Sequence, residues 1–222
     1  MSSYELRRQT VSVLSHEYTL RTLLDRQQFS DDENIAADLG ISSATWCLFG
    51  MVWPASRILA THVSGMDLRG MKVLEIGCGI GLSSIVLHRL GVDITASDYH
   101  PLAEEFMRLN VKANNLPPIK FLTGNWDTEN PLLGEFDLII GSDVLYEPAH
   151  PGLVSGFINR HSEKQSDVII ADPNRGNRGR FTRHMQAMGF SHSFKTFGKA
   201  EKGETPCKGR LMHYRRSTTL VD

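Results

Sequence analysis

The chain has 222 residues, 41% of them hydrophobic and 22% charged, with a formal net charge of −1; these are ordinary values for a globular protein able to bury a core without disulfide or metal staples. A near-neutral balance excludes a generic polyanion binder, and no stretch approaches the ~20 apolar residues that a membrane span needs. Three widely separated cysteines, Cys47, Cys78 and Cys207, argue against a zinc site or a disulfide framework, and the polar start does not read as a signal peptide; a reducing, cytoplasmic setting is expected.

Residues 1–45 read as a polar leader. A helical pattern is expected around Val13, Leu20, Leu23 and Leu24, followed by the acidic turn Ser30-Asp31-Asp32-Glu33-Asn34. Residues 46–222 read as the main domain. It opens with Val52-Trp53-Pro54-Ala55, where the proline suits the first turn of a helix running to about Val63. From residue 71 short apolar runs alternate with helical stretches. Strands are predicted over 72–76, 93–97, 119–122, 136–141 and 167–172, with helices over 82–90, 101–114 and 180–188. Two more strands, 191–197 and 210–216, follow without a long helix between them. Alternation of this kind predicts an α/β, Rossmann-like, doubly wound and mostly parallel sheet of seven strands, with an antiparallel hairpin at one edge.

The first predicted strand runs into Glu75-Ile76-Gly77-Cys78-Gly79-Ile80-Gly81, ahead of a helix. Glycines at such a turn let a ligand approach the backbone where a Cβ would collide. A dinucleotide turn would read GxGxxG, but the third glycine of that pattern is replaced here by Leu82. Glu75 lies two residues before the first glycine. A carboxylate there suits an ammonium-bearing ligand and would repel a pyrophosphate. Asp98 ends the second strand, where an acid can accept both ribose hydroxyls; it can also cap the next helix.

The ExGxGxG turn with this second acid resembles the first motifs of class I, seven-stranded S-adenosylmethionine-dependent methyltransferases. The resemblance implies that S-adenosylmethionine is the cofactor and that Gly77, Gly79, Gly81, Glu75 and Asp98 hold it. It also implies that Asn125 or Trp126, in the turn after the third strand, lies against adenine. Val52-Trp53-Pro54-Ala55 resembles a helix-opening motif of the lysine methyltransferases within this class, including those acting on the electron-transfer flavoprotein β subunit. That likeness puts Trp53 over the cofactor. Packed tryptophans are the plain alternative at both positions.

The fourth strand ends in Ser142-Asp143-Val144-Leu145-Tyr146, which resembles the (Asp/Glu)-x-x-(Tyr/Phe) motif of the same lysine methyltransferases. The likeness makes Asp143 and Tyr146 catalytic, beside the transferable methyl, with Asp143 bordering the cofactor as well. The chemistry fits, because a lysine amine with a pKa of ~10.4 arrives protonated and needs a carboxylate to hold it and an aromatic face to receive a cation. The (Asn/Asp)-Pro-Pro-(Tyr/Phe) motif of nucleic-acid amino-methylating enzymes is absent, so a protein substrate is expected and nucleic acid is not. A small-molecule acceptor, or a non-catalytic cofactor-binding domain, remains open at this point. Asp172-Pro173-Asn174 predicts a loop near the acceptor crevice.

The nine histidines show no ligand spacing, and no metal is expected. Charge is uneven along the chain. Residues 1–171 carry 13 Lys+Arg against 21 Asp+Glu, and residues 172–222 carry 11 against 4. The basic tail, with Arg175, Arg178 and Arg180, suits an acidic protein surface or is simply solvated.

Overall fold

The computed structural model describes residues 4–198 and 207–217. In chain order, β1 (Leu6–Val13) and β2 (His16–Leu23) come first, then two single helical turns, α1 (Ile35–Asp38) and α2 (Ser43–Trp46). They are followed by α3 (Pro54–Ser64), β3 (Lys72–Ile76), α4 (Leu82–Arg89), β4 (Asp93–Asp98), α5 (Ala103–Ala113) and β5 (Lys120–Thr123). The rest of the chain gives β6 (Phe136–Ser142), α6 (His150–His161), β7 (Ser162–Asp172), α7 (Arg178–Ala187), β8 (Ser191–Phe197) and β9 (Gly209–Arg216).

The larger sheet has the order β5-β4-β3-β6-β7-β9-β8. Strands β3 to β7 pair in parallel, and β9 runs antiparallel between β7 and β8. This is the Rossmann-like seven-stranded sheet with an antiparallel edge that the alternation predicts. Both faces are covered, which is why its central strands are apolar throughout. Leu74, Ile76, Ile139, Val168 and Ile170 pack in one cluster with Phe157 and Phe181 from α6 and α7. Their neighbours along the strands, Val73, Leu138, Ile140, Ile169 and Ala171, pack in another with Leu59 and Val63 of α3 and Leu87 of α4. The period-2 alternation of strand side chains produces this division.

The helical leader is corrected by the structure. Residues 6–23 form an antiparallel hairpin, with Val13 opposite His16 across its turn. Of the apolar positions that suggest a helix, Val13 and Leu20 belong to a period-2 pattern. Val11, Val13, Tyr18 and Leu20 are buried, whereas Ser12 and Glu17 are exposed, and the β-branched residues Thr10, Val11, Val13, Thr19 and Thr22 favour a strand. The hairpin shares a core with Phe106, Met107 and Val111 of α5. The amides of Asn110 in α5 and of its C-cap Asn114 also complete the outer edge of β2. Asn110 Oδ1 accepts from Arg21 N (2.7 Å) and Asn114 Oδ1 from Thr19 N (3.0 Å), while their Nδ2 groups donate to the carbonyls of the same residues at 3.2 and 2.8 Å. The acidic turn has a definite job too, since Asp31 accepts from Ala36 N and Ala37 N at the start of α1. Helix α6 has no counterpart in the sequence reading: its Pro151, Gly152 and Gly156 lower helix propensity, and burial of Val154, Phe157, Ile158 and His161 along one face outweighs that deficit.

Candidate functional site

Strand β3 lies between β4 and β6, so the chain's connections leave in opposite directions on its two sides, and a crevice opens beyond the carboxyl ends of these strands. A cleft of 740 Å³ occupies that place, within the range of small-molecule sites.

Its floor is the turn after β3. Gly77 and Gly79 have φ of 56° and 54°, a region that L side chains rarely adopt. A Cβ on Gly77 would lie 2.9 Å from Val144 Cγ1, and one on Gly79 would lie 2.7 Å from the Phe49 carbonyl oxygen. Glycine is therefore required on two independent grounds. Asp98, at the end of β4, fastens this turn: its Oδ2 accepts from Gly79 N at 2.7 Å and its Oδ1 from His100 N at 2.8 Å. Burial raises its pKa. Each oxygen retains a further lone pair, and Asp98 lines the cleft.

Glu75 and Gly81 do not line the cleft. The Glu75 carboxylate is 2% exposed and accepts from Ser84 N at 2.8 Å and from the Ser84 hydroxyl, clamping the first turn of α4 from beneath the glycines. Burial pushes its pKa up to about 7, against the lowering effect of the Ser84 bonds. Gly81 is the N-cap of α4 and faces Met107.

One side wall comes from residues 39–53, where the sequence carries no motif before Trp53. Phe49 stacks on His100 at 3.8 Å between centroids, and Trp46 meets the same imidazole edge-on. Burial pushes the His100 pKa down to about 3, so the ring is neutral. Trp53 caps α3 ahead of Pro54 and donates Nε1–H to the Leu48 carbonyl at 2.8 Å. Asn125 and Trp126 also line the cleft. Asn125 is turned inward on its own loop, accepting from Asp127 N at 2.9 Å, and Trp126 packs edge-on against His150.

The turn after β6 supplies another part of the cleft lining. Asp143 has φ of 56°, an uncommon conformation for a non-glycine residue that merits a functional explanation. It is tied to the neighbouring strand by Asp143 N–H to Ala171 O at 2.8 Å. Its side chain is 8% exposed and paired with Arg175, whose Nε and Nη2 donate to Oδ1 and Oδ2 at 2.7 and 2.6 Å. The sequence reading placed Arg175 on an acidic partner or in solvent, and the structure instead closes it onto Asp143. Thirty-two positions separate the two residues, beyond the reach of local spacing rules. Tyr146 packs edge-on against His150 with centroids 4.5 Å apart. Burial, together with the carboxylates of Asp98, Glu147 and Asp143, pushes its phenol up to about 12, so it is a neutral hydrogen-bond donor at physiological pH.

The structure thus brings together Trp53, Gly77, Gly79, Asp98, Asn125, Trp126, Asp143 and Tyr146 around one cavity. It adds Arg26, Phe49, Tyr99 and His100, which no motif announces, and Arg175, which follows the Asp172-Pro173-Asn174 turn expected near the acceptor crevice. Among the described residues, no group of three or more His, Cys, Asp or Glu is placed to hold a metal ion, and no helix is long and apolar enough to cross a membrane. Parts of the basic tail, residues 199–206 and 218–222, lie outside the described residues.

A left-handed glycine pair with no room for a Cβ, and a carboxylate beside it, fit a nucleoside-bearing ligand whose ribose and main body lie against the backbone. Known proteins agree with this chemistry. The family of lysine methyltransferases matches residues 35–188. The mouse protein N-lysine methyltransferase METTL21A is 40% identical over 105 residues, covering 43% of this chain and 47% of that protein. The electron transfer flavoprotein beta subunit lysine methyltransferase of Xenopus laevis is 29% identical over 134 residues, covering 59% and 52%. The chain therefore spans about half the length of the curated relatives it matches. Among solved structures, the T. thermophilus 16S rRNA N2 G1207 methyltransferase, in complex with AdoMet and guanosine, superposes with a TM-score of 0.64 at 15% identity, over 96% of this chain and 51% of that one. That likeness concerns the fold.

Proposed function

The chain belongs to the lysine methyltransferase family, and from that premise we propose that it transfers a methyl group from S-adenosylmethionine to the side-chain amine of a lysine in a protein substrate. The observation that carries this reading is the single cavity lined both by the glycine turn with Asp98 and by the turn after β6 with Asp143 and Tyr146. When bound, S-adenosylmethionine supplies a methyl group on a sulfonium, open to in-line displacement. The chain's residues divide the remaining work. The backbone at Gly77 and Gly79 makes room for the cofactor, and the free lone pairs of Asp98 accept from the ribose hydroxyls. Asn125 and Trp126 border the adenine, and Trp53 covers the cofactor. Glu75 acts one step removed, by fixing the start of α4 under the turn.

Asp143 holds the acceptor, which arrives as an ammonium and passes a proton to water to free the lone pair that attacks, and Tyr146, kept protonated, borders it. Methyl transfer to an amine needs positioning more than acid–base machinery, which suits a site with one carboxylate and a neutral phenol. A protein rather than a nucleic acid is favoured as acceptor because the strand end reads Asp143-Val144-Leu145-Tyr146 and lacks the paired prolines of nucleic-acid amino-methylating enzymes. Cys47, Cys78 and Cys207 are free thiols, which supports work in the reducing cytoplasm.

The test is methylation of cell extract with radiolabelled cofactor. Label on a protein band, lost with Asp143→Asn, is the expected result. Label confined to the small-molecule fraction overturns the lysine reading in favour of a small-molecule acceptor.

A further inference from the structure

Arg175 occupies the place that the proposed function gives to the acceptor. Its guanidinium grips both oxygens of Asp143 at 2.7 and 2.6 Å and lies 6.0 Å from the centre of the Trp53 ring. Arg26 lies over Trp53 as well, at 5.6 Å. A cation seated on a carboxylate and against an aromatic face is the same arrangement that a lysine ammonium would adopt there.

The pair is asymmetric. Asp143 is 8% exposed and anchored through its backbone, whereas the Arg175 side chain is 40% exposed. Arg175 projects from a loop in which Asn174 and Gly176 both have positive φ, 66° and 88°. The loop itself is held on both sides, by Asp172 Oδ1, which accepts from Asn174 N at 2.8 Å, and by Asn177, whose Nδ2 donates to the Leu145 carbonyl at 2.8 Å, so the freedom to move lies in the Arg175 side chain. The carboxylate is thus the fixed partner and the guanidinium the movable one.

We propose that Arg175 is an internal stand-in for the acceptor amine, displaced from Asp143 when the substrate lysine enters. The proposal rests on the lysine reading above and adds to it a specificity-determining residue. Exchange of one cation for another keeps Asp143 paired, so the carboxylate is never stranded without a partner, a costly state for a buried charge. It also gives the site a threshold. A neutral or weakly basic group cannot replace the guanidinium, whereas a lysine side chain delivered by a docked protein can.

The experiment uses 15N-labelled protein saturated with S-adenosylhomocysteine and titrated with n-butylammonium, a lysine side chain without its backbone. The Arg175 Nε–H resonance is assigned by its loss in Arg175→Lys. The expected result is a saturable shift of that resonance toward the position of solvated arginines, with loss of protection from hydrogen exchange. Arg175→Ala should bind the amine about fivefold more tightly, the order of a partly exposed ion pair. Arg175→Lys, which loses the fork but keeps the charge, should fall between, and it serves also if the alanine variant does not fold. Asp143→Asn should abolish the saturable response.

If the amine saturates while the Arg175 resonance stays in place, the two cations share Asp143 and displacement is wrong. Weaker amine binding by Arg175→Ala would likewise overturn it, by making Arg175 part of the acceptor's hold. Failure of S-adenosylhomocysteine to bind brings down the methyltransferase reading and the exchange with it. Cofactor binding and protein labelling in extract without displacement of Arg175 bring down the exchange alone.

Discussion

The two parts of the cleft lining, proposed as the cofactor end and the acceptor end, are built on different principles. At the cofactor end, the contacts run between neighbours in sequence or across adjacent parallel strands. Gly77 and Gly79 follow β3 directly, Asp98 fastens them from β4, and Glu75 clamps Ser84 nine residues on. At the acceptor end, the decisive contact joins Asp143 to Arg175, 32 residues apart and on different strand ends. The cofactor end is fixed by backbone conformation and buried carboxylates, with little freedom to move. The acceptor end rests on a half-exposed side chain on a loop with two left-handed residues. A fold that receives one invariant cofactor and a variable acceptor gains from rigidity at the first and exchange at the second.

The largest expected effect probes the rigid end. Burial raises the Glu75 carboxyl from 4.5 to about 7, so the folded state binds this proton more tightly than the unfolded chain does. Stability from this group is then fully present below pH 4.5 and falls as pH rises to about 7. The loss is on the order of 3 kcal/mol. Glu75→Gln should flatten the profile across that window, as read from urea denaturation at several pH values. The same variant sharpens the division of labour. Unchanged cofactor affinity keeps Glu75 beneath the turn, and a collapse in affinity in a folded variant moves it into the cofactor's contact shell.

Asp143→Asn comes next and probes the other end. The substitution keeps the shape and deletes the charge proposed to hold the amine. Misplacement of a reacting group by about 1 Å costs on the order of 100-fold in rate, and turnover should fall by about that factor. Cofactor affinity should stay at the wild-type level on the same preparation, with circular dichroism confirming the fold. Normal turnover would show that the acceptor is held elsewhere. The converse variant is Asp98→Ala, which should weaken cofactor binding by about 1.5–3 kcal/mol, the range for hydrogen bonds to a charged group. Calorimetry reads this directly, and an unchanged affinity would remove Asp98 from the ribose.

The same contrast explains what was legible in the sequence. The parallel sheet, the glycine turn and Asp98 were readable because strand alternation and a glycine trio are local patterns. Asp143 and Tyr146 were picked out by a four-residue motif, and both line the cleft. Arg175 was not, because the contact that defines it depends on β6 and β7 lying side by side. The wall formed by residues 39–51 was hidden for a related reason: its Phe49 and Trp46 gain meaning only when His100 is packed against them. The hairpin escapes the reading because Val13, Leu20 and Leu23 satisfy a helical spacing, whereas the alternation lies in Val11, Val13, Tyr18 and Leu20, and the burial of Val11 and Tyr18 decides between the two. Helix α6 shows the opposite failure, in which tertiary burial overrides poor local propensity.

The smallest expected effect concerns the rim of the exchangeable end. Arg178 donates to Asn174 Oδ1 at 2.7 Å and Arg180 to the Pro148 carbonyl at 3.2 Å. Both acceptors are neutral, so the two positive charges remain beside the acceptor loop at the start of α7. An acidic surface flanking the substrate lysine would be drawn to them over a screening length of ~10 Å at 0.1 M salt. Reversal of both charges in Arg178→Glu/Arg180→Glu should raise KM for a protein substrate by about threefold, the scale of exposed charge pairs, with kcat unchanged. The effect should fade at about 0.5 M salt, and n-butylammonium, which has no flanking surface, should bind as before. A rise in KM that persists at high salt would assign these arginines to specific contacts rather than to long-range attraction. An unmoved KM at low salt would leave them as solvated surface and confine substrate choice to Asp143 and Arg175.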